Sequence, residues 1–231
     1  MNPLAGILSE AWRMYKAHAW HLIVIALVIY VVAAIIIALL WLAGGIGVLL
    51  GEVVVLFAGF LVEAALVKAV QDVRDGRVDL SVGETVSVAI PSIWPLAVAS
   101  ILASIAIMVG LFLLIVPGLF LITIWAVFIP VIVIERSGAL ASFGRSQEIV
   151  RGSGWHVFGT IALVWILYLL ANIVLWLIFA VLPTGIDGGL GSVIAGALIT
   201  PFIALTVTLI YYRLTGQDPE AGVQPGGYGV V

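Results

Sequence analysis

The segment Ile93 to Ile134 of this sequence contains 42 residues without a single Asp, Glu, Lys or Arg. A bilayer core of about 30 Å is crossed by roughly 20 helical residues, so this run is long enough for two crossings. Gly110, Pro117 and Gly118 offer a turn between them. We therefore predict two transmembrane helices joined by a tight turn.

The composition of the whole chain points to the same class of protein. Of the 231 residues, 64% are apolar and only 9% are charged, and the mean hydropathy is +1.32. Soluble domains carry about 25% charged residues. The sequence predicts an all-α polytopic membrane protein, with a single six-helix domain over residues 1–214 and spans at about 22–42, 46–67, 93–112, 117–134, 157–182 and 190–212. Residues 215–231, rich in Gly and Pro, are predicted to form a disordered cytoplasmic tail.

The positive charges predict the orientation of these spans. All nine Lys and Arg residues fall on alternate connections, and therefore on one side of the membrane: Arg13, Lys16, Lys68, Arg74, Arg77, Arg136, Arg145, Arg151 and Arg213. Cytoplasmic loops carry an excess of Lys and Arg. We expect a multi-pass protein with both termini in the cytoplasm and short turns, including Asp187, on the other side.

Short amphipathic segments precede the first, third and fifth spans, and each ends near a Trp: Trp20, Trp94 and Trp155. The second of them begins with Ser81 and Glu84, which have the spacing of a capping box. We predict three helical hairpins, each introduced by an interfacial amphipathic helix on the cytoplasmic side. An internal triplication explains this pattern, and so does the general preference of Trp and charged residues for the membrane boundary.

The third amphipathic segment lies within a charged region from Glu135 to Gly159. Leu140, Phe143 and Val150 are predicted to form its apolar face, which the charged residues avoid. The remaining side chains are candidates for a cytoplasmic interaction surface: Arg145, Ser146, Glu148, Arg151, Trp155 and His156.

Small residues recur every fourth position in the sixth span: Gly188, Ser192, Gly196, Thr200, Ala204 and Thr208. Such a stripe lets two helices approach closely in lipid. We predict an internal contact, with a homo-oligomer interface as the alternative. Pro130 and Pro201 are expected to kink their spans, so neighbouring helices or Ser and Thr side chains must satisfy the freed carbonyl groups.

Two acids interrupt the second span, Glu52 and Glu63. They are separated by about 20° around a helix and roughly 16 Å along it, so they share a face. Ionisable groups inside a span are functional candidates. One interpretation is a polar intramembrane site, with Asn172 as a possible hydrogen-bond partner of Glu52. The other is that each Glu reaches water near its own interface.

No pattern of catalytic residues, cofactor-binding or metal-binding motif is recognisable, so we expect a protein that is not an enzyme. His18 and His21 could hold a metal by spacing, but both flank Trp20 and no further ligand is spaced to join them. Nine scattered cations are too few for a nucleic-acid interface.

Several stretches carry a family resemblance: Ile7 to Lys16, Val67 to Val86, Ile115 to Phe120, Ile129 to Gly159 and Leu209 to Gly216. On these the chain resembles the six-span membrane domain of bacterial glycerophosphoryl diester phosphodiesterases, which also occurs as a stand-alone protein. The resemblance implies a protein of the bacterial cytoplasmic (inner) membrane. Candidate ligands for the metal-dependent chemistry of the hydrolase domain are missing from this sequence.

Two hypotheses for the function follow. In the first, the chain is a non-enzymatic accessory or scaffold module that binds a partner protein or lipid at its cytoplasmic face, where the cations lie. In the second, it is a small lipid or solute carrier with Glu52 and Glu63 lining the path. Three hairpins of like orientation do not give the inverted repeats that many carriers use, which favours the first hypothesis.

Overall fold

The computed structural model describes residues 3–74, 79–180 and 190–217. Within these residues the chain forms nine α-helices: α1 (Ile7–Trp41), α2 (Gly45–Arg74), α3 (Val82–Ala89), α4 (Ile93–Leu113), α5 (Ile115–Ile124), α6 (Phe128–Glu135), α7 (Ala139–Val150), α8 (Gly154–Ala180) and α9 (Leu190–Thr215). When α3 is counted with α4, and α5 with α6, the described residues contain six helical segments that are long and apolar enough to cross a membrane, with α7 as an additional short helix. The all-α polytopic fold is therefore confirmed. Most of the predicted tail, residues 218–231, lies outside the described residues.

The first amphipathic segment and the first span form one helix, α1. The backbone leaves helical geometry at His18, with φ −123° and ψ 18°, so the helix kinks where a separate interfacial helix was predicted to end. The Nδ1 atom of His18 lies 3.3 Å from the carbonyl oxygen of Met14, one turn earlier. No Gly or Pro stands between residues 7 and 20 to stop the helix, which is why it continues through the kink.

The other two amphipathic helices meet their spans differently. Helix α3 begins with the predicted capping box, because the Ser81 backbone N–H donates to Glu84 at 2.9 Å and the Glu84 N–H donates to the Ser81 hydroxyl at 3.4 Å. A single 3-10 turn, Ile90–Ser92, then joins α3 to α4. Helix α7 is separated from α8 by three residues, of which Gly152 has φ 87°.

The turn between the third and fourth spans lies at Leu114, not at the glycines. Leu114 is extended, with φ −157° and ψ 135°, and directly joins α4 to α5. Gly110 and Gly118 instead let the two helices approach closely. A Cβ atom on Gly118 would lie 2.4 Å from Cγ of Leu111 and 2.7 Å from its backbone nitrogen. The glycines were therefore correctly identified as part of this hairpin but wrongly assigned to its turn.

The fourth span is interrupted between α5 and α6, three residues before Pro130. Pro130 is the third residue of α6. The first four N–H groups of a helix have no carbonyl partner within it, so the N–H that Pro130 lacks removes no hydrogen bond from α6. The hydroxyl of Ser146, on α7, donates to the Ile124 carbonyl oxygen at 2.9 Å and accepts from the Val127 N–H at 3.3 Å. A Ser side chain therefore satisfies backbone groups that are freed at the break between α5 and α6, and not a carbonyl group freed by Pro130.

Helices α1, α2 and α9 pack against one another and contain the largest buried side chains, among them Leu22, Ile25, Leu66, Leu205 and Leu209. Helix α6 packs against α2 and α7, and α4 pairs with α5. Helix α8 packs mainly against α9 and α5, and it is the least buried of the six spans. One side of the bundle is therefore more open than the rest.

The small-residue stripe of α9 faces α1. A Cβ atom on Gly196 would lie 3.1 Å from the Tyr30 ring, and the Tyr30 hydroxyl lies 3.4 Å from Oγ1 of Thr200. Ala204 and Thr208 are buried. These members of the stripe form the internal contact that was predicted. Gly188 and the side chain of Ser192 lie outside the described residues.

Candidate interaction surface at the cationic end

One end of the bundle bears the described Lys and Arg residues, and we call it the cationic end. Its central acid is Glu135, at the end of α6. The carboxylate of Glu135 accepts from Nε of Arg145 at 3.1 Å and from the Tyr211 hydroxyl at 2.9 Å. Arg145 also pairs with Glu148 at 3.4 Å. These contacts connect α6, α7 and α9, and the hydrogen bond to Glu135 is the main cause that raises the pKa of Arg145 above its ordinary value.

A second set of contacts fastens both termini of the bundle at the same end. Arg213, near the end of α9, pairs with Glu10 of α1 and donates to the Ala5 carbonyl oxygen at 2.7 Å. The Arg74 guanidinium lies 3.6 Å from the ring centroid of Tyr212. Arg74, Arg145 and Arg213, which are among the cations that predicted the orientation, therefore also form contacts between helices.

Helix α7 is anchored by its inner face. Ser142, Ser146, Ile149 and Val150 are buried, and the Phe143 ring packs 4.5 Å from that of Trp125. Two sequence predictions are corrected here. Leu140 is 73% exposed and does not belong to the apolar face. Ser146 does not belong to an exposed interaction surface, because its side chain is fully buried against the break in the fourth span.

Each of the other predicted surface residues is exposed. Arg145, Glu148 and Arg151 project from the outer side of α7 and its end, and Trp155 and His156 from the first turn of α8. Trp155 is 86% exposed. We call these five residues the α7–α8 surface. It combines charges of both signs on α7 and its end, where the opposite side of the helix is fixed to the bundle, with an aromatic residue at the start of α8.

The predicted intramembrane residues are dispersed. Glu52 is exposed, whereas Glu63, which lies on the same face of α2, is half-buried. Asn172 lies on α8, where its amide donates to the Tyr168 carbonyl oxygen of its own helix at 2.8 Å. Lys68 donates to Gln71 at 3.1 Å. No described contact joins Glu52 to Asn172 or Glu63 to Lys68.

The Tyr30 side chain of α1 is a polar neighbour of Glu63 that the sequence did not predict. Tyr30, which contacts Thr200, is close enough to Glu63 for an electrostatic interaction between the two side chains. Two further buried atoms have no hydrogen-bond partner among the described residues, Nε2 of His21 and Oγ1 of Thr208. The only sequence signal for these groups is the presence of polar residues within apolar runs, which does not say which helices they face.

The described residues contain no group of three or more His, Cys, Asp or Glu side chains that could hold a metal ion. Comparisons of the chain with protein-family models, with curated proteins and with solved structures gave no match.

Proposed function

We propose that this chain is a non-enzymatic accessory module of the bacterial cytoplasmic membrane, with both termini in the cytoplasm, which binds a partner at the α7–α8 surface. The observation that carries the proposal is the fixed position of α7. Ser146 and the Glu135–Arg145 pair attach its inner side to the bundle, while Glu148 and Arg151 remain exposed. The proposal also includes kinship with the six-span domain of glycerophosphoryl diester phosphodiesterases.

The charge of this surface favours a protein over the anionic surface of a lipid bilayer. An anionic membrane attracts clusters of cations, whereas Arg145 and Arg151 here alternate with Glu148. Charges of both signs are typical of complementary protein interfaces, where they determine which partner binds. An exposed Trp155 supplies an aromatic anchor of the kind enriched at interface centres.

The test uses site-specific photo-crosslinking in the native membrane. A photoreactive amino acid is placed at Glu148, and in the control chain at Leu114, which is exposed in the turn at the opposite end. We expect a discrete protein adduct at position 148, absent at 114, and lost when Arg151 is changed to Glu in the same chain. Equal adducts at both positions, or an adduct that survives Arg151→Glu unchanged, would contradict the proposal.

The carrier hypothesis has one observation in its favour, the group formed by Glu63, Tyr30 and Thr200 between α2, α1 and α9. Ionisable side chains within spans often mark the path of an ion or substrate. For a carrier, Glu63→Gln should abolish the binding of a specific solute retained in nanodiscs, and Glu52→Gln should reduce it. If neither variant changes what the protein retains, the carrier hypothesis fails and the accessory function stands.

A further inference from the structure

Helices α1, α8 and α9 enclose an open groove on the less buried side of the bundle. Its volume of about 570 Å³ lies within the range of about 300–1,000 Å³ typical of small-molecule sites. The lining is almost wholly apolar, and its aromatic members are Trp12, Tyr15, Tyr168 and Phe202. Because these helices are long and apolar enough to cross a membrane, we expect a groove of this composition to face lipid hydrocarbon.

A second depression continues the groove towards the cationic end. It measures about 360 Å³, shares Leu8 and Ser9 with the groove, and has a more polar lining that includes His156 and Thr160. No Asp, Glu, Lys or Arg is among the described residues that line either depression. An apolar space thus leads into an uncharged space that offers hydrogen bonds.

Helix α8 joins the two depressions through one continuous stripe. Its lining residues recur at helical spacing: Trp155, His156, Gly159, Thr160, Leu163, Val164, Leu167, Tyr168 and Ala171. From the first to the last, the stripe extends about 24 Å along the helix. One leaflet, including its headgroup region, is about 20–22 Å thick, so the stripe has the height of a single leaflet.

We propose that this groove binds one glycerolipid of the leaflet at the cationic end. One acyl chain lies between α8 and α9, and the glycerol ester linkage lies beside His156 and Trp155. The uncharged lining fits this assignment, because ester oxygens accept hydrogen bonds without carrying charge. The imidazole of His156 and the indole N–H of Trp155 are the available donors, since both line the depression and no hydrogen bond to either side chain is found among the described residues.

The wall formed by α1 is fixed in place before any lipid binds. Tyr15 donates to the Leu198 carbonyl oxygen at 2.9 Å, across to α9. Trp12 stacks on Tyr15 with ring centroids 5.7 Å apart and meets the Phe202 ring at 6.2 Å. A preformed wall reduces the entropy that a ligand loses on binding, and this distinguishes the groove from ordinary bilayer contact.

The lipid assignment shares Trp155 and His156 with the α7–α8 surface, but the two tests are separate, because the test for a partner protein changes Arg151 and leaves the groove intact. For the lipid, the full chain is reconstituted in nanodiscs of phosphatidylethanolamine and phosphatidylglycerol, released into mild detergent and examined by native mass spectrometry. Leu167→Trp fills the groove, and Leu169→Trp is the matched control, because Leu169 is exposed on the same helix outside the lining.

We expect one retained glycerolipid for the unchanged chain and for Leu169→Trp, and at least about a tenfold loss for Leu167→Trp, which corresponds to about 1.4 kcal/mol. Ala171→Phe is a second groove-filling variant and should give the same loss; melting temperatures verify that each variant folds. Equal retention by all chains, or a retained species without a glycerol ester, overturns the assignment.

Discussion

The hydroxyl of Ser146 donates a hydrogen bond to the carbonyl oxygen of Ile124, 2.9 Å away on the neighbouring broken span. The same hydroxyl accepts from the Val127 N–H at 3.3 Å, so one side chain serves both a free acceptor and a free donor. Unpaired backbone groups are costly where water is excluded. Helix α7 therefore contributes directly to the integrity of the fourth span.

Ser146→Ala should destabilise the protein by about 1–3 kcal/mol, because it leaves buried backbone groups of Ile124 and Val127 unpaired. The matched control is Ser142→Ala. Ser142 is equally buried on the same helix, but its hydroxyl bonds only to the Ala139 carbonyl oxygen of its own turn. Thermal unfolding in detergent should show a clearly lower midpoint for Ser146→Ala. Equal shifts for both variants would show that the bridge to α5 and α6 adds nothing.

Glu10→Gln should destabilise the protein by about 3 kcal/mol, because it removes the negative charge from a largely buried ion pair with Arg213. Hydrogen exchange of the amides at the start of α1 should increase, since this pair fastens α1 to the end of α9. Glu148→Gln serves as the control, because Glu148 is 71% exposed and its pair with Arg145 should contribute less than about 1 kcal/mol. Unchanged exchange at residues 4–11 in Glu10→Gln would argue against a fastening role.

Gly118→Ala should destabilise the hairpin of α4 and α5 by about 1–3 kcal/mol, because the added methyl group would overlap Leu111. Gly59→Ala should instead stabilise the protein by up to about 1 kcal/mol. Gly59 lies inside α2, and no neighbouring atom lies within 4 Å of the position that a Cβ atom would occupy, so only the gain in helix propensity remains. Denaturation of both variants under the same condition should show a decrease in the free energy of unfolding for Gly118→Ala and an increase for Gly59→Ala. A stabilising effect at Gly118 would show that the helices do not pack this closely.

The orientation can be tested with single cysteines, because the chain has none of its own. Leu114→Cys, in the exposed turn between α4 and α5, should react with a membrane-impermeant maleimide on intact cells. Ser137→Cys, between α6 and α7 at the cationic end, should react only after the membrane is permeabilised. The opposite labelling pattern would reverse the predicted topology.

Hydropathy was sufficient to predict six spans, because the transfer of a helix into lipid depends on its length and composition more than on the helices that it contacts. The capping box at Ser81 and Glu84 was also predictable, since both residues lie within one turn. Helix boundaries were less certain. The absence of Gly and Pro between residues 7 and 20 favours one continuous helix, but nothing in the sequence places a kink at His18.

The roles of individual polar residues depended on contacts between distant segments. Ser146 was grouped with surface residues, although its position opposite Ile124 makes it a buried bridge. The groove was not predicted either, because α8 is apolar on all sides. Its lining stripe is no more hydrophobic than the other faces, and only the placement of α1 and α9 distinguishes it.

The packing of α9 against α1 and α2 has a consequence for biosynthesis. Chains emerge from the ribosome at about 5–20 residues per second, beginning with the N-terminal segments. Since α9 is made after every other described helix, α1 must wait in the bilayer with Tyr30 and the carboxylate of Glu10 still lacking the partners seen here. During that interval the nascent protein carries polar groups without their final partners, and this state ends only when α9 packs against α1.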